Sequence, residues 1–175
     1  MKVNKLAYIL FLVLGTSSLM LKSQSKYSNE FLHLGVSAKG LSLANTQVAM
    51  VDDVSAAYWN PAGLVHLKQK YQFALMHAAY FAGIANYDYA GLAFRLDDKQ
   101  SLGITAIRFG VDGIPNTTQL IDNQGNINYD RISYFSAADW AFLLSYARKL
   151  PLEGLSIGMN FKLIHRYIGS FARAW

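Results

Sequence analysis

The chain has 175 residues and no cysteine, with 16 basic and 11 acidic residues; charged residues make up 15% and aromatic ones 14%. Zero cysteine excludes disulfides, thiol catalysis and Cys-ligated zinc, and the charged share falls well below the roughly 25% of soluble domains. Although 53% of residues are hydrophobic, no uninterrupted apolar run reaches the roughly 18 residues of a mature spanning helix, so composition favours a membrane β-barrel over a cytosolic globule.

The N-terminus explains part of the hydrophobicity. Lys2 and Lys5 precede the apolar run Leu6 to Leu14, which is followed by Gly15-Thr16-Ser17-Ser18 and the polar stretch Lys22-Ser23-Gln24-Ser25. A basic start, a short apolar core and small residues afterwards predict a secretory signal over 1–24; the other reading, an N-terminal membrane anchor, fits the short core and its flanks less well. Without a cysteine it is not a lipoprotein signal. Removing Lys2, Lys5 and Lys22 takes the basic count from 16 to 13 against 11 acidic residues. The remaining excess of about two forms no basic face of the kind nucleic-acid binding needs.

Residues 25–67 have a different texture, mixing small and apolar side chains without a period of two. Asp52 and Asp53 stand before Val54-Ser55-Ala56-Ala57-Tyr58-Trp59, which is N-cap chemistry for a short helix. Asn60-Pro61 ends that helix, because proline disfavours helical geometry in its predecessor and lacks an N–H. Gly63 is read as permitting a reversal. The segment is expected to form a compact plug.

From residue 68 the period becomes two. A first strand is expected over Lys70 to Tyr80; its two faces are poorly separated, which leaves its orientation open. The second, Asn86 to Leu96, sets Ala90, Leu92, Phe94 and Leu96 against Tyr87, Tyr89, Gly91, Ala93 and Arg95. After an Asp97-Asp98-Lys99 turn, the third, Gln100 to Phe109, opposes Leu102, Ile104 and Ala106 to Ser101, Gly103 and Thr105. A fourth covers Ala141 to Lys149. The last has Leu155, Ile157, Met159, Phe161 and Leu163 on one face and Ser156, Gly158, Asn160 and Lys162 on the other, an alternation that a 3.6-residue period would scatter.

Two connections are short, and a long polar excursion from Gly110 to about Asp139 separates strands three and four. Outer-membrane barrels keep periplasmic turns short and extracellular loops long; both short turns fall on one side and the long loop on the other, which places the plug on the periplasmic side. Loops of that length are usually functional or disordered, and Ile114, Pro115, Tyr129, Tyr134 and Phe135 make this one a candidate lid or docking surface. Trp59, Tyr71, Tyr80 and Trp140 are candidates for interfacial aromatic belts, with packing of the plug against the wall as the other role for them. Five strands leave two edges that lipid cannot satisfy, so the chain reads as the N-terminal part of a longer barrel.

Nothing in the sequence points to catalysis. His33, His66, His77 and His165 match no metal-ligand spacing. Ser145 and Ser156 lie in no nucleophile-elbow pattern, and Ser and Asn on a strand face read as lumen-facing polar residues. Neither a metal nor a cofactor is expected.

The block Ala49 to Leu64, ending Tyr58-Trp59-Asn60-Pro61-Ala62-Gly63-Leu64, together with Val111 to Thr118 and Ser145 to Leu150, resembles the FadL-like outer-membrane barrels, and within them the PorV/PorQ group of Bacteroidetes-type bacteria. The resemblance covers about Leu34 to Tyr167. It implies an all-β fold, an antiparallel transmembrane β-barrel of which this is the N-terminal part, with a small plug containing a short helix. Asn60, Pro61, Ala62 and Gly63 would belong to the hatch. PorV/PorQ membership implies a non-catalytic outer-membrane protein associated with type IX secretion or surface-protein attachment, whose partners are lipid and secretion-system or surface proteins. FadL-like proteins instead imply a passive channel for hydrophobic small molecules.

Overall fold

The structure, a computed structural model, describes residues 29–122 and 124–175. The expected signal, 1–24, lies outside them. The chain divides into a unit ending at Glu30 and a second running from Phe31 to Trp175; the fold below is that of the second.

Six antiparallel strands make one sheet in sequence order: β1 (Tyr71–Tyr80), β2 (Ala85–Arg95), β3 (Gln100–Asn116), β4 (Ser133–Lys149), β5 (Ser156–Ile168) and the short β6 (Ala172–Ala174). The sheet is open, with β1 and β6 at its edges. The connections β2–β3 and β4–β5 lie at one end, and β1–β2 and β3–β4 at the other, as a meander requires.

Ahead of the sheet come two short helices, α1 (Ala38–Ser42) and α2 (Ala56–Trp59), and a 3-10 turn over Pro61–His66. The second helix and the turn sit against one sheet face, and Gly40 of α1 lies against Trp59 of that helix. There Val54, Ala57, Leu64 and Val65 pack with Ala93 and Ala147, and Phe31 and Val36 pack with Tyr87, Tyr89, Ile107 and Leu143. Residues alternate strictly between the faces. On β2, Tyr87, Tyr89, Gly91 and Ala93 are buried while Ala90 and Leu92 are exposed; on β3, Ser101, Gly103, Thr105 and Ile107 are buried and Ile104 exposed. The predicted faces of these strands therefore correspond to an inner face, where small and polar residues stand beside Tyr87, Tyr89 and Ile107, and an outer apolar one. For β1 the open question resolves with Tyr71, Phe73, Leu75 and His77 outward.

Register aligns the outer side chains into rows. Phe73, Leu92, Ile104, Leu144 and Phe161 face each other in turn across five strands, as do Tyr71, Phe94, Leu102, Tyr146 and Met159. The next row reads Leu75, Ala90, Ala106, Phe142 and Leu163, and the one beyond it turns polar: His77, Asp88, Arg108, Trp140 and His165.

The long excursion expected from Gly110 to Asp139 is strand at both its ends. β3 continues to Asn116 and β4 begins at Ser133, with Ile114 paired to Phe135 and Pro115 to Tyr134. A bulge between Val111 and Ile114, where Gly113 has φ +70°, absorbs the turn-forming residues, as a left-handed glycine does in a bulged ladder. Only residues 117–132 lie between the strands.

Candidate functional site

The segment around the Asn-Pro-Ala-Gly block, the expected hatch, is docked on the sheet's inner face. Asp53 opens it: its Oδ1 accepts from the Ser55 backbone N–H at 2.8 Å and from the Ser55 hydroxyl at 2.5 Å. Neither expected aspartate caps the helix, whose N-cap is Ser55; Asp52 instead pairs with Lys68 at 3.0 Å and Lys39 at 3.7 Å. The Lys68 hydrogen bond holds the Asp52 carboxyl below its ordinary range. The buried side chain of Gln47 donates to the Ser55 hydroxyl at 3.1 Å. From the wall, Gln72 of β1 accepts the Val54 N–H at 3.0 Å.

Helix α2 ends at Trp59, as the Asn-Pro step predicts, and the chain then enters the 3-10 turn with Pro61 at its first position. Asn60 caps that turn: its Oδ1 accepts from Ala62 N at 3.2 Å, while Nδ2 donates to Val48 O at 3.1 Å. Gly63 is not the reversal the sequence suggested, since its backbone is not left-handed. It is small because a methyl there would sit 2.6 Å from the Val51 carbonyl oxygen.

The wall is cut to receive this segment. A methyl on Gly158 of β5 would lie 2.2 Å from Ala62 N and 2.5 Å from the Pro61 carbonyl carbon, and one on Gly103 of β3 would lie 2.9 Å from the Ala57 side chain. The Ala57 carbonyl accepts from Asn160 Nδ2 at 2.7 Å and from the Ser145 hydroxyl at 3.3 Å. Sequence reasoning gave Ser145 and Asn160 a polar, inward place but not this shared acceptor. It missed Gly103 and Gly158, whose need for a missing side chain arises only from contact with the hatch.

The aromatic candidates separate. Tyr71 stands outward and exposed, edge-on to Phe94, and Trp140 lies on the outward face stacked on Phe142. Trp59 turns inward, donating to Val36 O at 3.2 Å and packing edge-on to Tyr58. Tyr80 packs edge-on against Tyr87 and Phe109 on the inner side. Tyr58 donates to the Leu32 carbonyl, and burial pushes its phenol up from its ordinary range. Of the loop candidates, Tyr129 and Tyr134 are exposed, whereas Phe135 packs edge-on to Phe171.

Beside the hatch, an open recess is lined by Leu32, His33, Tyr58, Trp59, Leu143 and Lys162. Among the described residues, no three His, Asp or Glu side chains are placed to share a metal ion.

The chain matches no protein-family model, no curated protein and no solved structure.

Proposed function

We propose that this chain forms part of an outer-membrane β-barrel of the PorV/PorQ type, exported by an N-terminal signal, non-catalytic, and serving type IX secretion or the attachment of proteins to the cell surface. The observation that carries the membrane part of this reading is the outward face, whose apolar rows run unbroken across five strands. Soluble monomers rarely expose contiguous apolar patches beyond a few hundred Å², and here Phe73, Leu92, Ile104, Leu144 and Phe161 all stand open. Arg108 lies eight positions beyond Gln100, about 26 Å along the strand. At a tilt of about 40° this is roughly 20 Å of membrane depth, close to the roughly 25 Å apolar band of such barrels.

The inner face, which carries the hatch, supports a barrel with a plugged lumen. The resemblance supplies the secretion role, and the exposed Tyr129 and Tyr134 beyond the polar row provide a surface for a partner. The test is an affinity pull-down from outer membranes with mass spectrometry. Co-purifying secretion-translocon or surface proteins, lost on Tyr129→Ala/Tyr134→Ala, bears the reading out.

A second reading, a passive channel for hydrophobic small molecules, draws on the recess of Leu32, Tyr58, Trp59 and Leu143 at the hatch. A barrel isolated without protein partners and carrying bound fatty acid favours it.

A further inference from the structure

The strands have little of their own to bury on the half of the inner face that receives the hatch. Two neighbouring rows there read Arg95, Ser101, Ala147 and Gly158, and Ala93, Gly103, Ser145 and Asn160. None of these side chains is both large and apolar. The core between them and the hatch comes from the hatch side: Val51, Val54, Ala57, Leu64 and Val65 supply it, and the wall adds Ala93 and Ala147. A sheet needs an apolar face or a helix packed on it to hold together in water. With the outward face assigned to lipid, the hatch is what this half of the inner face folds against.

The wall holds the hatch by its backbone. Gln72 of β1 accepts from Val54 N, and Ser145 of β4 and Asn160 of β5 both donate to Ala57 O. These bonds span 18, 88 and 103 residues, in the order in which the meander adds its strands. The strands between them meet the same segment: a methyl on Gly91 of β2 would lie 3.1 Å from Val54 Cγ2, and one on Gly103 of β3 would lie 2.9 Å from the Ala57 side chain and 3.2 Å from that of Leu64. The hatch thus touches every strand from β1 to β5, and it precedes them all in the chain.

We infer that the hatch is an assembly template, onto which β1 to β5 dock in chain order and from which they take their register. A slip of one residue turns a strand's inner set outward. At β5 it would bring Ile157 or Met159 to the place where Gly158 admits the Pro61-Ala62 backbone, and at β3 Leu102 or Ile104 to the place of Gly103. The hatch therefore rejects the wrong register by steric conflict as well as holding the right one. The inference rests on the plugged-barrel reading above and goes beyond it, since a lumen can be plugged after its wall has formed.

The test follows the urea-unfolded full protein as it assembles into lipid vesicles, by the mobility of the folded form in unboiled gels, and measures its unfolding rate as well. Gly103→Val/Gly158→Val obstructs the hatch while raising strand propensity, because valine favours strands and glycine weakens them. Strands that assemble by themselves would gain from this change; on a template they lose, and assembly should slow at least about tenfold. Ala90→Val/Ala106→Val, on the outward face, is the control and should stay within about twofold of wild type. The milder Gln72→Ala removes the earliest bond and should slow assembly about fivefold with unfolding unchanged, as for a contact already made in the transition state. Should the double valine variant not assemble at all, Gln72→Ala decides alone. Unchanged assembly with faster unfolding makes the hatch a late filling and overturns the inference, leaving the barrel reading standing. A wild-type chain that folds in buffer and does not enter the vesicles overturns the membrane reading and the template with it.

Discussion

Asn160 on β5 donates to the carbonyl oxygen of Ala57, 2.7 Å away and 103 residues earlier in the chain. This bond ties the last turn of the hatch helix to the inner wall, and Ser145 on β4 shares its acceptor. Removing a partner from a part-buried bond costs about 1–3 kcal/mol. Asn160→Ala is expected to destabilise hatch docking by about 1–2 kcal/mol, read as faster proteolysis within 52–66 while the strand content is unchanged. Combined with Ser145→Ala the effects should be non-additive, because both donors serve one oxygen. Strictly additive losses would show that the two bonds act independently.

Gly158 faces backbone rather than a movable side chain, with Ala62 N and the Pro61 carbonyl carbon inside contact distance of any added methyl. Gly158→Ala must therefore displace either β5 or the Asn-Pro-Ala-Gly segment, a cost of about 1–3 kcal/mol typical of overpacking. Gly63→Ala should behave alike through Val51 O, 2.6 Å from the new methyl. Thermal unfolding of the two variants checks this; an unchanged midpoint for both would mean the hatch is not seated as described.

The alternation that revealed β2, β3 and β5 in the sequence exists because one face meets small and polar partners and the other does not. β1 lacked that contrast: Ala74, Met76 and Ala78 are inward yet apolar, like outward Phe73 and Leu75, so hydropathy does not separate the faces. The outer halves of β3 and β4 were hidden for a different reason. Beyond the polar row of Asp88 and Arg108 the residues no longer alternate, and Gly113 and Pro115 signal turns although the ladder continues through a bulge. The Asn-Pro-Ala-Gly block was legible as a helix stop because that effect is local. The glycines receiving it are tertiary in origin, so no neighbouring residue announces them.

Asp52 gives a pH handle on the hatch. Its pKa in the fold lies below the ordinary 3.8 because Lys68 donates to it and attracts it. A depressed carboxylate contributes stability that is fully present above its unfolded value and is lost as pH falls through the folded value. The hatch should therefore loosen slightly below about pH 4, and Lys68→Met should weaken that dependence, leaving the smaller part that Lys39 supplies. Both side chains are well exposed, so the effect is small, under about 1 kcal/mol, and weakens with salt. Proteolysis of the hatch against pH, in wild type and variant, measures it.

The outward rows are proposed to face lipid, and the lack of cysteine in these 175 residues makes single-cysteine labelling of them direct. Single cysteines are introduced at Leu92, Ile104, Leu144 and Tyr129, and intact outer membranes are treated with a membrane-impermeant maleimide. Tyr129→Cys is expected to label readily while Leu92→Cys, Ile104→Cys and Leu144→Cys stay protected until the protein is denatured. Labelling of Ile104→Cys as fast as Tyr129→Cys would place the apolar face in water and contradict the membrane assignment.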